Sequence, residues 1–154
     1  MLSFRKATFS DAQLLFDWVN ETQVRENSFD TQLISWENHL QWLNSRVKEG
    51  SNTVIFIFEE NSKPIGQVRF DKKENAIFID YSIDVNERGK GYGREILHLA
   101  LSAISEYLPN QKIIFAEVKE ENLPSLKVFQ KLGFVTHQII TYKQNKVIQF
   151  KKEL

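Results

Sequence analysis

The spacing of apolar residues changes between helical and alternating along this chain, and the order of those changes limits the folds available to it. "LSFRKA" near the start is typical of a short strand. Two helical stretches follow, with Ser10 and Ser35 as predicted N-caps and Gly50 as the end of the second. After Gly50 come three β-rich runs, "TVIFIFEE", "PIGQVRFD" and "AIFIDYSIDV", separated by turn-like residues. They predict an antiparallel meander.

Helix and strand alternate in the second half of the chain. Helical spacing returns over residues 94–108, "KIIFAEV" predicts a strand, and Pro124 and Gly133 bracket another helix. "FVTHQIITYK" and "KVIQFKK" indicate a terminal hairpin. The order β-α-α-β-β-β-α-β-α-β-β predicts one α/β domain over residues 1–154. Its sheet is mixed and mostly antiparallel, with about seven strands and about four flanking helices.

Composition excludes several classes of protein. Lys+Arg and Asp+Glu both count 20, and this balance argues against a nucleic-acid or anionic-membrane binder. The chain has no cysteine, which excludes disulfides, Cys-ligated metals and a thiolate nucleophile. The start of the chain lacks a signal-peptide core, no apolar run is long enough to cross a membrane, and the three histidines lie far apart. We therefore expect a cytoplasmic protein without a metal ion.

One bend, "NERGKGYGREIL" at residues 86–97, holds three of the six glycines: Gly89, Gly91 and Gly93. It follows a predicted strand and opens a predicted helix, where free backbone N–H groups and the helix dipole attract an anion. Glycine lets a phosphate approach the backbone closely. A Walker A loop would need Lys-Ser/Thr after Gly93, and the spacing also departs from a dinucleotide fingerprint. A tight turn without a ligand is the alternative.

Two motifs resemble those of the GNAT acyltransferase superfamily. "RGKGYG" at residues 88–93 is similar to its acetyl-CoA pyrophosphate loop, and "NLPSLKVFQKLGF" at residues 122–134 is similar to its Asn-x-x-Ser-x-x-x-Tyr/Phe-x-x-x-Gly-Phe stretch. The order of elements also resembles that fold. The resemblance implies acetyl-CoA as cosubstrate, with these contacts: Ile83, Val85, Arg88, Gly89, Lys90, Gly91, Tyr92, Gly93, Arg94, Asn122, Ser125 and Phe129. Asn122 could instead cap a helix.

The resemblance implies direct transfer of an acetyl group from the thioester to an amine. Asp80 and Asp84 share one face of their strand, so either could take the proton from the incoming ammonium. Asp80 is preferred, and a solvated strand face is the alternative for both carboxylates. Many family members have a tyrosine acid where this chain has Phe129. Either the CoA thiolate departs without an acid, or another hydroxyl group protonates it. Tyr142 and Ser125 are the candidates, and a helix-start residue is the alternative interpretation of Ser125.

The first third of the chain should supply the acceptor site, as the same resemblance implies. Its pattern of Trp, Asn, Arg and His resembles the GNAT branch that acetylates nucleotide-linked amino sugars, as in pseudaminic acid biosynthesis. The candidate acceptor residues are Trp18, Asn20, Arg25, Asn27, Phe29, His39 and Trp42. We predict a small-molecule amine as partner and leave a homodimer open. The alternative acceptors are protein N-termini and aminoglycoside-like amines, and the alternative class is a non-catalytic acetyl-CoA-binding module. Core packing is the other interpretation of Trp18.

Overall fold

The computed structural model describes residues 1–154 and contains seven strands and five helices. The strands are Leu2–Lys6 (β1), Thr53–Glu60 (β2), Lys63–Lys73 (β3), Ala76–Ile83 (β4), Ile113–Lys119 (β5), Val135–Tyr142 (β6) and Asn145–Glu153 (β7). The helices are Ala12–Val19 (α1), Thr22–Asn27 (α2), Trp36–Arg46 (α3), Tyr92–Tyr107 (α4) and Leu123–Lys131 (α5). Single 3₁₀ turns lie at Phe9–Asp11 and Val85–Glu87.

The strands form one sheet in the order β1-β2-β3-β4-β5-β7-β6. Every neighbouring pair is antiparallel except β4 and β5, which run parallel. The predicted mixed and mostly antiparallel sheet is thus confirmed. The parallel pair is short, because only Ile77–Ile114 and Phe78–Phe115 are in register. Beyond Phe78 the two strands separate, and a gap opens in the middle of the sheet.

Helices cover both faces of the sheet. On one face α4 and α5 pack over the larger core, which includes Phe56, Phe70, Ile96 and Phe129. On the other face α1 and α3 cover a smaller core around Ile55 and Ile57 of β2. Alternate β2 side chains therefore serve opposite cores, which explains why this strand is apolar throughout.

Several predicted boundaries are wrong. The helix α2 raises the number of helices from about four to five. Ser10 lies within the first 3₁₀ turn and does not cap a helix. Helix α3 begins after its predicted cap, Ser35, but ends at Arg46, before Gly50. Helix α4 begins at Tyr92 and not at residue 94. Val85 lies in the second 3₁₀ turn, because β4 ends at Ile83.

No helix has both the length and the apolar character that crossing a membrane requires.

Candidate functional site

A cleft of about 2310 Å³ connects the start of α4, the β4–β5 gap and the space beneath α1–α3. Its walls include Gly91 and Gly93 at one end, Tyr81 and Ser125 along the gap, and Trp42 at the other end. The cleft therefore joins the predicted CoA loop to the predicted acceptor region. No group of three or more His, Asp or Glu side chains is arranged to hold a metal ion.

The glycine bend is open in front of its backbone. Gly89 and Gly91 have φ angles of 78° and 83°, in the left-handed region that favours glycine. A Cβ atom added at either position would meet no heavy atom within 4 Å. Gly91 is also the N-cap of the 16-residue helix α4. This free space at a helix N-terminus suits a phosphate group.

The three basic side chains of the bend have different surroundings. Arg88 pairs with Glu21, donates to Gln23 Oε1 at 2.6 Å and donates through Nε to the Ile83 carbonyl at 3.2 Å. Lys90 Nζ lies 2.8 Å from Glu87. Arg94 is exposed, lines the cleft and makes no ion pair. Arg88 therefore ties the bend to α2 and β4, and Arg94 is the cation free to meet a bound anion.

The backbone of β4 presents unpaired groups to the gap. The Asp84 N–H donates to the Ile65 carbonyl of β3 at 2.8 Å. Because the direction of backbone groups alternates along an antiparallel strand, Asp80 and Ser82 also face β3, whereas Ile79, Tyr81 and Ile83 face β5. The separation of β5 leaves the groups of Tyr81 and Ile83 without a partner strand, and of these the Ile83 carbonyl accepts from Arg88 Nε. Val85, 54% exposed in its 3₁₀ turn, lies outside this row.

A tyrosine that the sequence analysis did not single out lies in the gap. Tyr81 Oη is 2.8 Å from Ser125 Oγ, and the Tyr81 ring meets Phe129 edge-on with centroids 5.7 Å apart. The ideal Cβ position of Gly93 is 3.9 Å from the same hydroxyl oxygen. Burial raises the pKa of Tyr81, although the Ser125 hydroxyl acts in the opposite direction. The only signal in the sequence was the apolar face that Tyr81 shares with Ile79 and Ile83.

The other motif residues near the gap have mainly structural contacts. Asn122 Oδ1 accepts from the Ser125 N–H at 3.5 Å and caps α5, which was the alternative interpretation of Asn122. Phe129 is buried between Tyr81, Phe134 and Phe150. Tyr92 begins α4 and packs partly buried against the larger core.

The two candidate carboxylates differ in exposure and partners. The Asp80 side chain is 59% exposed, with Arg69 Nη2 at 3.8 Å. The Asp84 carboxylate accepts from Trp18 Nε1 and from the Asn86 N–H, both at 2.9 Å. Both carboxylates are on the strand face covered by α1–α3, opposite Tyr81. Asp80 is the carboxylate with unused acceptor capacity.

Three predicted acceptor residues form hydrogen bonds with backbone groups of the protein itself. Asn20 exchanges two hydrogen bonds with the backbone of Ile34, at 2.9 and 2.8 Å. Arg25 donates to three carbonyl groups and to Ser28 Oγ, and burial lowers the pKa of its guanidinium. Buried His39 bonds the Ala12 carbonyl through Nε2 at 2.9 Å, and burial lowers its pKa. Arg25 and His39 line the cleft and Asn20 does not, and the polar groups of all three are already engaged within the protein.

Aromatic side chains form the remaining acceptor wall. Phe29 and Tyr142 pack with centroids 5.4 Å apart, and Tyr142 is 46% exposed. The Arg69 guanidinium lies over the Trp42 ring, 5.4 Å from the ring centroid. These rings line the cleft, as do Asn27 and Trp18, and Trp18 is also part of the smaller core. The acceptor region thus combines ring surfaces with few unpaired charges.

A half-split sheet with an open helix N-terminus at the end of the split is the arrangement expected of an acyl-CoA-dependent transferase. The model of the acetyltransferase (GNAT) domain matches residues 1–135, so the chain belongs to the GNAT family. It is an N-acetyltransferase domain, and acetyl-CoA is its cosubstrate.

Relatives of known sequence or structure show the same domain. An uncharacterized protein of Methanocaldococcus jannaschii is 27% identical over 84% of this chain, and the chain spans only 27% of that protein. The uncharacterized N-acetyltransferase p20 of Bacillus licheniformis is 28% identical over 86% of this chain and 78% of its own length. The Vibrio cholerae spermidine N-acetyltransferase, solved with CoA and spermine, has a TM-score of 0.88 at 18% identity, covering 99% of this chain and 95% of that one.

Proposed function

We propose that the protein transfers the acetyl group of acetyl-CoA to the primary amine of a nucleotide-linked amino sugar. The observation that carries this proposal is the presence of ring surfaces at Trp42 and Phe29–Tyr142 together with few unpaired carboxylates on the acceptor side. Rings offer stacking to a base or a sugar. A polycationic acceptor would favour several unpaired carboxylates. On this side Asp71 is bound by Arg69 and Thr53, Asp84 by Trp18 and Glu117 by the Gln149 amide, whereas Asp80 has only Arg69 at 3.8 Å.

The CoA end of the cleft suits a diphosphate and an extended amide chain. Gly91, Gly93 and Arg94 would hold the diphosphate through backbone N–H groups, the helix dipole and one free cation. The backbone N–H and C=O of Tyr81 and the N–H of Ile83 would bind the pantetheine amides as a missing strand would, since the Ile83 carbonyl already accepts from Arg88 Nε. The Asn122 amide nitrogen has no partner in the protein and could join them. Acetyl-CoA supplies the activated acyl group, and the chain orients it.

Asp80 is the proposed general base. It lies in the middle of β4 on the acceptor side, where an ammonium group entering beneath α1–α3 would meet it. Arg69 Nη2 lies 3.8 Å from the carboxylate, too far for a close hydrogen bond. Asp80 can therefore pair with the ammonium, take its proton and release it to solvent. The Tyr81 or Ile83 N–H would stabilise the developing oxyanion.

The diphosphate of a nucleotide-linked sugar needs a cationic side chain that is not already bound within the protein. Arg25 and His39 are bound to backbone carbonyls, and Arg46 contacts Thr53 and Asp71. Lys73 is exposed, lines the same cleft and makes no ion pair. We therefore assign the diphosphate contact to Lys73 and the ring contact to Trp42.

The test is substrate competition. Initial rates are measured by thiol release with four amines: a UDP-linked 4-amino sugar, spermidine, an aminoglycoside and an alanine-terminated peptide. We expect the UDP-linked sugar to react fastest and UDP to inhibit competitively against it but not against acetyl-CoA. Lys73→Ala should weaken inhibition by UDP, whereas Lys48→Ala, on the loop after α3, should not. If UDP has no effect at millimolar concentration while another amine reacts efficiently, the proposed acceptor is wrong.

A further inference from the structure

The position that carries the acid in many relatives, Phe129, has no hydroxyl group in this chain, and the two hydroxyl candidates differ in location. Tyr142, at the end of β6, packs against Phe29 in the acceptor wall. Ser125 lies at the start of α5, where its hydroxyl meets Tyr81. Tyr81 contacts both the Phe129 ring and Ser125. We propose that Tyr81 is the catalytic acid, donating its hydroxyl proton to the departing CoA thiolate. This inference rests on the proposed acetyl transfer.

The location of Tyr81 supports this role. Its backbone N–H and C=O face the β4–β5 gap, where the pantetheine arm would lie. Its hydroxyl reaches between Gly93 at the start of α4 and Ser125 at the start of α5. The side chain lines the cleft and is not part of the fully buried core. Tyr81 therefore brings an O–H group to the same channel that the thioester must occupy.

Asp80 and Tyr81 place a base and an acid on opposite sides of one strand. Successive side chains of a strand point to opposite faces. Asp80 is on the face of α1–α3, whereas Tyr81 packs against α5 on the other face. An acyl carbon in the gap between them would receive the amine from the Asp80 side and release sulfur on the Tyr81 side. Two adjacent residues would thus handle both proton transfers.

The ammonium gives one proton to Asp80, and the amine nitrogen then forms a C–N bond to the acyl carbon. The nitrogen of this adduct loses its second proton to solvent, and collapse of the adduct breaks the C–S bond. The electron pair of that bond stays on sulfur, and the sulfur takes the Tyr81 Oη proton to give CoA thiol. Ser125 donates to Tyr81 Oη and stabilises the transient phenolate. Proton exchange with solvent through the open cleft then restores the phenol and the Asp80 carboxylate.

The test compares Tyr81→Phe with Tyr107→Phe, a matched change at the far end of α4, where the ring packs on Phe56. We expect Tyr81→Phe to lower kcat about 10²-fold or more and to leave the KM for acetyl-CoA nearly unchanged. Tyr107→Phe should keep the wild-type kcat. Ser125→Ala should cause a smaller loss than Tyr81→Phe, because Tyr81 would keep its proton but lose the stabilising donor.

A second readout needs neither an acceptor nor turnover. The thiolate absorbance of bound CoA is titrated against pH, with the desulfo-CoA complex as blank to remove tyrosine ionisation. A hydrogen bond from Tyr81 favours the thiolate, so we expect the CoA thiol pKa to be about one unit lower in the wild type than in Tyr81→Phe. Equal thiol pKa values overturn the proposal even if kcat falls, since the ring would then be only structural. Absence of acetyl transfer by the wild type to every amine would instead refute the proposed function, and the titration would remain interpretable.

Discussion

Gly91 and Gly50 have nearly the same backbone angle but different surroundings. Their φ angles are 83° and 80°, and neither would meet a heavy atom within 4 Å after addition of a Cβ. Gly91 caps α4 in the cleft, whereas Gly50 lies in the turn before β2. The same substitution at both positions therefore separates backbone strain from loss of the anion site.

We predict that Gly91→Val abolishes measurable CoA binding, whereas Gly50→Val leaves it unchanged. Each valine pays a similar left-handed backbone cost of roughly 1–2 kcal/mol, but only the Gly91 side chain would occupy the space needed by the phosphates. Calorimetric titration with CoA measures binding, and denaturant unfolding measures the strain. Wild-type CoA affinity in Gly91→Val would show that the bend serves the fold alone.

The carboxylate of Asp80 provides a second residue-scale prediction. Asp80→Asn should lower kcat at neutral pH by ~10²–10⁴-fold with little change in the KM for acetyl-CoA. The deficit should shrink at high pH, where the amine is already neutral. Asp84→Asn is the comparison, because that carboxylate is bound by Trp18 and the Asn86 N–H. A larger loss of kcat in Asp84→Asn would transfer the role of base to Asp84.

At the scale of single residues, a local motif marks the predicted CoA loop, whereas no motif marks the contacts that residues of the acceptor region make. The glycines of the bend were identified because their chemistry depends on local backbone and close spacing. Asn20, Arg25 and His39 were proposed as acceptor contacts, yet their partners are backbone groups of Ile34, Ala12 and the residues around α2. Every residue has a backbone carbonyl, so the sequence does not show which carbonyl group will accept a given side-chain hydrogen bond.

At the scale of elements, the junction of β1 and α1 depends on one carboxylate. Asp11 accepts two hydrogen bonds from Arg5 at 2.9 Å and one from the Thr8 N–H at 2.8 Å. Burial alone would raise the pKa of Asp11, but the Arg5 guanidinium and Thr8 outweigh it and lower the pKa below its ordinary value. The ionised form is therefore favoured in the folded protein.

This pKa shift predicts a loss of stability in acid. A carboxyl group with a depressed pKa in the folded state stabilises the fold above its unfolded pKa of about 3.9 and loses that contribution as pH falls through the folded value. We expect Asp11→Asn to lower the free energy of unfolding at pH 7 by about 1–3 kcal/mol and to flatten its decline below about pH 4. Urea unfolding at several pH values measures this. Asp17→Asn, at an exposed position of α1, is the control, and an equal effect there would contradict the prediction.

Strands and long helices were predictable, whereas α2 was not. Runs rich in β-branched and aromatic residues identified β2, β3 and β4, and the Pro124–Gly133 pair bracketed α5. Helix α2 has six residues, none of them buried, so it shows no apolar period. Its start depends on the Glu21 side chain accepting from the Gln23 N–H, and its fixed position depends on Arg88 reaching Glu21 from the bend. Contacts across 67 residues cannot be read from local spacing.

At the scale of the whole molecule, the sheet has few hydrogen bonds between its two central strands, β4 and β5. The halves β1–β4 and β5–β7–β6 share only two residue pairs in register, although the helices α4 and α5 join them through the larger core. The order of elements predicted a mixed sheet, but the length of the β4–β5 pairing depends on the packing of α4 and α5. A ligand in the gap would complete the central hydrogen bonding.

We predict that CoA at 100 times its Kd raises the free energy of unfolding by ~2.7 kcal/mol. Amide hydrogen exchange should slow at Tyr81 and Ile83, which face the gap, and change little at Asp80 and Ser82, which face β3. The alternation is an internal control within one strand. Uniform slowing across β4 would indicate general stabilisation without pantetheine in the gap.

If bound CoA closes the β4–β5 gap, the lifetime of the protein in the cell should depend on the supply of its cosubstrate. After each turnover CoA leaves the β4–β5 gap, and the gap stays open until the next acetyl-CoA binds. The chain would be most susceptible to proteases during this interval. Ample CoA keeps that interval brief, and starvation for CoA prolongs it. The half-life of the protein would then follow the supply of its cosubstrate, and a fall in CoA would reduce both the rate of each enzyme molecule and the number of molecules that survive.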